Sequence, residues 1–261
     1  MIKSSLIIQS RDNPQFKRWL SLVEKPRIAR QQGVTLLEGV HLCSSYLAQC
    51  GQPIRVILTE NTHSNREVED LLKHITVEII RLHGALAKTL SQVETGIFIW
   101  FEVPIVEKLL PEKISTDCLV LDNLQDPGNV GTILRSAAAA KVEYVFALTG
   151  TASIWSPKVL RAGMGAHFYL QVWETSWREV QSRLALPLYA TSPYAVETIY
   201  QINLRNPCAW VFGHEGQGVC REILQSAKTL SIPQPGGIES LNVAAAASIC
   251  MFEKLRQIIS G

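Results

Sequence analysis

Three stretches of the chain gather glycine, amide and charged side chains where an apolar run stops. In open α/β sheets, ligands bind beyond the carboxyl ends of the strands, so these stretches are where chemistry is expected. The first is Leu121-Asp-Asn-Leu-Gln-Asp-Pro-Gly-Asn-Val-Gly-Thr-Ile-Leu-Arg135. Gly128 and Gly131 let a ligand approach the backbone, and a helix starting near Asn129 favours anions. Asn129 reads either as a plain helix cap or as a ligand contact. Arg135, in an otherwise uncharged helix, reads either as a surface ion-pair residue or as a cation kept for a ligand. The second stretch is Trp210-Val-Phe-Gly-His-Glu-Gly-Gln-Gly218, where Glu215 sits between glycines. A carboxylate there can orient a sugar hydroxyl, an ammonium group or a guanidinium. The third is Ser231-Ile-Pro-Gln-Pro-Gly-Gly-Ile-Glu-Ser-Leu-Asn-Val243, a Pro/Gly loop after which Ser240 or Asn242 starts a last helix. Its plain reading is a capped helix after a turn, with Ala244 to Ala247 as a smooth face for close packing.

Other chemistries are excluded. The glycines do not fit G-x-G-x-x-G, and no G-x-x-x-x-G-K-[ST] occurs, so common dinucleotide and P-loop sites are absent. The six cysteines (Cys43, Cys50, Cys118, Cys208, Cys220, Cys250) stand far apart, with no Cys-x-x-Cys and no zinc-type cluster. They are expected to be buried small side chains in a reducing compartment. With 47% hydrophobic and 18% charged residues the composition is globular, not disordered. The longest apolar run, Leu241 to Phe252, contains Asn242 and Ser248 and is shorter than the ~20 residues that span a bilayer. The N-terminus shows no signal-peptide core. These features predict a cytoplasmic protein.

The net charge is +2 but uneven. Residues 1–30 carry Lys3, Arg11, Lys17, Arg18, Lys25, Arg27 and Arg30 against Asp12 and Glu24, which is +5 and leaves −3 for the rest. With Phe16 and Trp19 interleaved, this segment either meets a phosphate backbone or is an ordinary solvated helix.

The elements that must position these residues fall into two blocks; 261 residues suit one large domain or two small ones. In residues 1–106, helices are predicted over 15–23, 40–49, 67–73 and 85–90, and strands over 35–38, 55–59, 77–80 and 96–101, which is a small α/β domain. Residues 107–116 lie in a Pro- and charge-rich linker running from Pro104. In residues 117–261, strands are predicted over 118–121, 144–148, 168–172, 188–191, 209–212 and 230–232. Helices are predicted over 130–141, 157–164, 176–184, 219–226 and 241–259. This alternation predicts a mainly parallel sheet covered by helices.

The three stretches, taken in order, resemble the signature motifs of the SpoU/TrmH branch of the SPOUT RNA 2′-O-ribose methyltransferases. They are similar to D-x-x-x-D-P-x-N-x-G-x-x-x-R, F-G-x-E-G-x-G and I-P-x-x-G-x-x-x-S-L-N-V. Ser156-Pro-Lys-Val-Leu-Arg-Ala-Gly-Met-Gly-Ala166 is also similar to a family segment. The first block, with Ser10-Arg-Asp-Asn-Pro14, Lys17 and Leu37-Glu-Gly39, resembles the RNA substrate-binding domain that many members carry. Three departures stand out: His214 where Asn or Ala is usual, Gln234 where Met is frequent, and Ala244-Ala245 where Ser often appears.

The resemblance implies a C-terminal SPOUT α/β domain with a deep trefoil knot, and a smaller N-terminal α/β domain of the L30e type. It implies S-adenosylmethionine as cofactor, contacted by Gly213, Ile232 and Leu241, with Thr191 a weaker candidate. Arg135 matches the arginine that activates the 2′-hydroxyl in the family. A guanidinium is an awkward base, because arginine stays protonated to above pH ~12, so a phosphate-clamping, electrostatic role has equal weight. Asn129 and Glu215 are expected to fix Arg135 and its loop, and Ser240 and Asn242 to position the target nucleotide. Lys17, Arg18 and Arg11 are the expected RNA contacts. Ribosomal RNA is the expected substrate, with a homodimer formed through the C-terminal domain and no metal. The alternatives are a tRNA 2′-O-methyltransferase, an enzyme methylating a base nitrogen, and a non-catalytic RNA-binding relative.

Overall fold

A computed structural model describes residues 7–60, 65–93, 96–237 and 240–260. Lys3 and the Ile238-Glu239 pair of the third stretch lie outside the described residues. In chain order the elements are β1 (Ile7–Ile8), α1 (Pro14–Glu24), α2 (Pro26–Gln32), β2 (Val34–Glu38), α3 (Val40–Cys50), β3 (Arg55–Thr59), α4 (Arg66–Leu72), β4 (Ile79–Leu82), α5 (Gly84–Leu90) and β5 (Ile99–Pro104). They continue as β6 (Cys118–Asp122), α6 (Pro127–Ala139), β7 (Tyr144–Leu148), α7 (Pro157–Gly163), β8 (Gln171–Thr175), α8 (Trp177–Gln181), β9 (Leu188–Thr191), β10 (Ala209–Gly213), α9 (Arg221–Leu224), β11 (Lys228–Leu230) and α10 (Val243–Ile259).

The contacts divide the chain into two units. One takes the described residues up to Glu107 together with Trp155–Phe168; the other takes Lys108–Ile154 and the described residues from Tyr169 onward. This differs from the sequence reading at two places. Residues 155–168, read as part of the second block, pack with the first: Leu160 is buried in its core and the Trp155 carbonyl accepts from the Thr35 hydroxyl at 3.2 Å. The stretch after residue 107 is not a loose linker. Ile114 is fully buried among Cys118, Val180 and Leu188 of the second unit, and the Trp173 indole donates to the Lys108 and Leu109 carbonyls.

The first unit is a mixed sheet ordered β1-β4-β3-β5-β2, in which β5 runs antiparallel to both β3 and β2. Apolar clusters cover both faces, one built on Trp19, Ile57 and Trp100, the other on Leu58, Phe101 and Val103. Helix α1 starts where expected: the Asn13 side chain accepts from the Gln15 and Phe16 amides at 2.9 and 3.2 Å, and Pro14 fills the first turn. Helix α2 has no counterpart in the sequence reading, because it buries only Ala29 and so carries almost no apolar period.

The second unit is a six-stranded sheet ordered β11-β9-β10-β6-β7-β8, with every strand pair parallel. Its two central strands, Cys118–Asp122 and Ala209–Gly213, are fully buried runs. In register, Gly213 stands beside Asp122, so the first two stretches leave the sheet side by side. Strand β8 lies three residues later than predicted, because Ala166–Phe168 winds into a 3-10 turn. The cysteine expectation holds at Cys43, Cys118, Cys208 and Cys250, whereas Cys50 and Cys220 are exposed. No helix among the described residues is long and apolar enough to cross a membrane.

Candidate active site

The carboxyl ends of β9 and β10 and the segment after β11 open onto a cavity of about 500 Å³. That is the size of a small-molecule site. Thr191, Gly213, Ile232 and Leu241, the four residues expected to contact a cofactor, all line it, and so do Glu215, Ser240 and Asn242. Asn129 and Arg135 do not.

Each wall has a local cause. At Gly213 the chain doubles back so closely that a Cβ would collide with the backbone of Gly218 and Val219, so only glycine fits. The turn is closed by the Gly218 amide donating to the His214 carbonyl at 2.8 Å. The His214 ring closes it too, with Nδ1 accepting from the Gly216 and Gln217 amides at 3.0 and 3.3 Å. The far side is pinned by Asp122, whose buried carboxylate accepts from the Cys220 amide at 2.7 Å.

Glu215 ties the second stretch to the first. Its carboxylate accepts from the Gln125 and Asp126 amides at 3.3 and 3.1 Å and from Asn129 Nδ2 at 3.1 Å. Asn129 Oδ1 then accepts from Asn242 Nδ2 at 2.9 Å, and Asn242 Oδ1 accepts from the Ala244 and Ala245 amides at 2.9 and 3.2 Å, capping α10. Both amide orientations follow from chemistry. A carboxylate only accepts, so Asn129 must turn its NH₂ toward Glu215; backbone amides only donate, so Asn242 must turn its oxygen toward α10. One directional chain therefore joins all three stretches. Partial burial raises the Glu215 pKa, but the hydrogen bonds from Asn129, its own backbone amide, Asp126 and Gln125 outweigh it. The carboxyl is held below the usual glutamate range.

The expected roles shift in two respects. The helix cap is Asp126, whose Oδ1 accepts from the Asn129 amide at 2.7 Å; α6 begins at Pro127, not near Asn129. Asn129 and Glu215 hold each other and Asn242 rather than Arg135. Arg135 is exposed on α6, with no hydrogen bond or ion pair to any described residue. Ser240 is exposed at the cavity wall.

The first-unit cations divide as well. Arg18 donates to the buried Glu102 carboxylate at 2.7 Å, alongside the Trp19 indole at 2.8 Å, and Arg55 stands 3.3 Å from the same group. Arg18 is thus a packing residue. Lys17 makes only an exposed pair with Asp12 at 2.7 Å, and Arg11 a 3.4 Å contact with Thr89.

Sequence reasoning gave no role to Asp122 or Asp126, although both fall in the first motif, and none to Gln234. Gln234 lines the cavity with its Oε1 buried and without a hydrogen-bond partner among the described residues. An orphaned acceptor in a cavity walled by glycine backbone fits a ligand rich in donors, as S-adenosylmethionine is with its adenine amino group, ribose hydroxyls and ammonium. No group of three His, Cys, Asp or Glu side chains placed to hold a metal occurs among the described residues.

Comparison with known proteins bears on this site. The SpoU rRNA methylase family model matches residues 117–252. An uncharacterised tRNA/rRNA methyltransferase of Synechocystis sp. is 34% identical over 96% of this chain and 93% of its own. The 23S rRNA (guanosine(2553)-2′-O)-methyltransferase of Bacillus subtilis is 28% identical over 94% of this chain and 97% of its own. A crystal structure of an RNA 2′-O ribose methyltransferase, 30% identical, superimposes with a TM-score of 0.82 over 97% of this chain and 100% of that one.

Proposed function

The chain belongs to the SpoU rRNA methylase family, and from that premise we propose that it transfers a methyl group from S-adenosylmethionine to a ribose 2′-hydroxyl of ribosomal RNA. The observation that carries the reading is the Glu215–Asn129–Asn242 chain, which locks three loops around a cavity lined by Thr191, Gly213, Ile232 and Leu241. S-adenosylmethionine supplies, when bound, a methyl on a sulfonium that needs no Lewis acid. Thr191, Gly213, Ile232 and Leu241 would hold it, largely through backbone groups, and Gln234 Oε1 would accept from one of its donors. The amide chain sets the loop positions before substrate arrives, which is how a site lines up a nucleophile without reorganising. Ser240 and Asn242, at the wall, position the nucleotide. Arg135 keeps its charge for the RNA: its planar fork clamps a phosphate and stabilises the 2′-oxygen as the hydroxyl proton leaves to solvent. The trefoil knot implied by the motifs belongs to this reading.

The same reading places the protein in the cytoplasm as a homodimer joined through its second unit, with RNA also docking on Lys17 and Arg11. The support for the dimer differs from the sequence argument. Ala244, Ala246 and Ala247 are buried, and the helix they belong to is joined to α6 by a 2.8 Å hydrogen bond between Ser248 and Ser136, so that small-residue face is already used inside the unit. On the opposite side Ala245, Phe252 and Ile259 are exposed at seven-residue spacing, a stripe suited to a second copy. Calorimetry of the purified protein with S-adenosylhomocysteine tests the cofactor site: saturable one-site binding is expected, and no heat at millimolar ligand would defeat the reading.

A further inference from the structure

Directly after β9 the chain makes an arch whose two feet are fastened to the end of β11. At one foot the Ser192 amide donates to the Leu230 carbonyl at 2.9 Å. At the other, the Ser231 amide donates to Glu197 at 2.8 Å, the Ile199 amide donates to Ser231 at 3.0 Å, and Glu197 pairs with Lys228 at 2.6 Å. The turn itself is set by Ser192, whose hydroxyl accepts from the Tyr194 amide at 3.3 Å and whose carbonyl accepts from the Ala195 amide at 3.3 Å. This braced arch carries Tyr194, which lines the rim of the cavity and yet is 92% exposed.

A tyrosine that exposed covers almost none of the cavity wall, so it is not what encloses a small ligand. Its ring faces whatever arrives from outside, and bracing the backbone beneath it removes much of the ordering cost of binding there. Resting on the proposed function, what arrives is RNA, and a ribose brought to the cavity carries its base to the rim. Unstacked bases seat on aromatic side chains because every base has a flat π-face. We propose that Tyr194 is the stacking platform for the nucleobase of the nucleotide being methylated, and so a substrate-positioning residue of the site.

The test compares wild type with Tyr194→Ala and Tyr194→Phe on ribosomal RNA from cells lacking this protein, at saturating S-adenosylmethionine. Tyr194→Ala is expected to lower kcat/KM for RNA by about tenfold to a hundredfold, the usual size of one lost aromatic–base stack. Tyr194→Phe, which keeps the ring, should stay within about twofold of wild type. S-adenosylhomocysteine affinity should be the same in all three. An unchanged kcat/KM in Tyr194→Ala overturns the proposal. So does an equal loss of cofactor affinity, which makes Tyr194 a cofactor wall, or a loss of dimer in light scattering, which makes it a contact between copies. Ultraviolet cross-linking to the same RNA reads the contact without catalysis. An adduct on Tyr194 supports the stack even if wild type transfers no methyl, in which case only the proposed function fails; a cross-linked complex with no adduct there rejects it.

Discussion

Arg135 is a cation with nothing to hold: exposed on α6 and unpaired among the described residues. Its replacement therefore leaves no partner stranded in the fold. Arg135→Ala is expected to keep the melting temperature and S-adenosylhomocysteine affinity while cutting methyl transfer on the order of 10²-fold, as for a lost transition-state contact. Arg135→Lys should recover part of that rate, since a point charge keeps the attraction but not the bidentate fork. Glu215 makes the opposite case, a charge with many holders. Its folded-state pKa is depressed, so the stability it lends the loops is fully present above the ordinary glutamate range, near ~4.3, and is lost as pH falls through the lower folded value. Calorimetry against pH should show S-adenosylhomocysteine affinity level from neutrality to about pH 5 and falling below it. Glu215→Gln should weaken binding at neutral pH and remove that acid limb. If the affinity of wild type declines already between pH 7 and 6, another group governs the loops.

The elements behave as the hydrogen-bond chain requires. Asn129→Asp sets a carboxylate against Glu215 and removes the donor that orients the chain; a loss of about 1–3 kcal/mol in thermal or urea unfolding is expected, with weaker cofactor binding. Asn242→Ala additionally uncaps α10, costing about 1 kcal/mol. In the first unit, Arg18→Ala leaves the buried Glu102 with only the Trp19 indole and Arg55 and should destabilise by about 1–3 kcal/mol, whereas Lys17→Ala should be nearly neutral. That contrast marks what was legible in the sequence. Strand β6, strand β10 and the three motif loops were readable because buried parallel strands are continuous apolar runs and the motif residues keep fixed spacing. Arg18 and Lys17 look alike as letters, and only the fold puts Glu102, 84 residues away, beside one of them. The use of Ala244, Ala246 and Ala247 inside the unit, and the packing of residues 155–168 with the first unit, are likewise long-range facts that no local pattern carries.

At the scale of the whole molecule, the account is of a two-unit RNA enzyme in which one unit holds the chemistry and the other adds basic surface. Lys17→Glu and Arg11→Glu should weaken RNA binding and lessen its salt dependence by about one counterion each, leaving cofactor affinity untouched. Phe252→Glu, in the exposed stripe of α10, should shift the protein toward monomer in light scattering without unfolding it. All of this depends on the site being what its amide chain and cavity indicate. The most direct measurement is to incubate the purified protein with S-adenosylmethionine and ribosomal RNA from cells that lack it, digest the RNA to nucleosides, and identify the methylated product by mass spectrometry. The account predicts a single new 2′-O-methylnucleoside, formed by wild type and nearly absent with Arg135→Ala. A methyl group found on a base instead, or no transfer while S-adenosylhomocysteine binds normally, would contradict it.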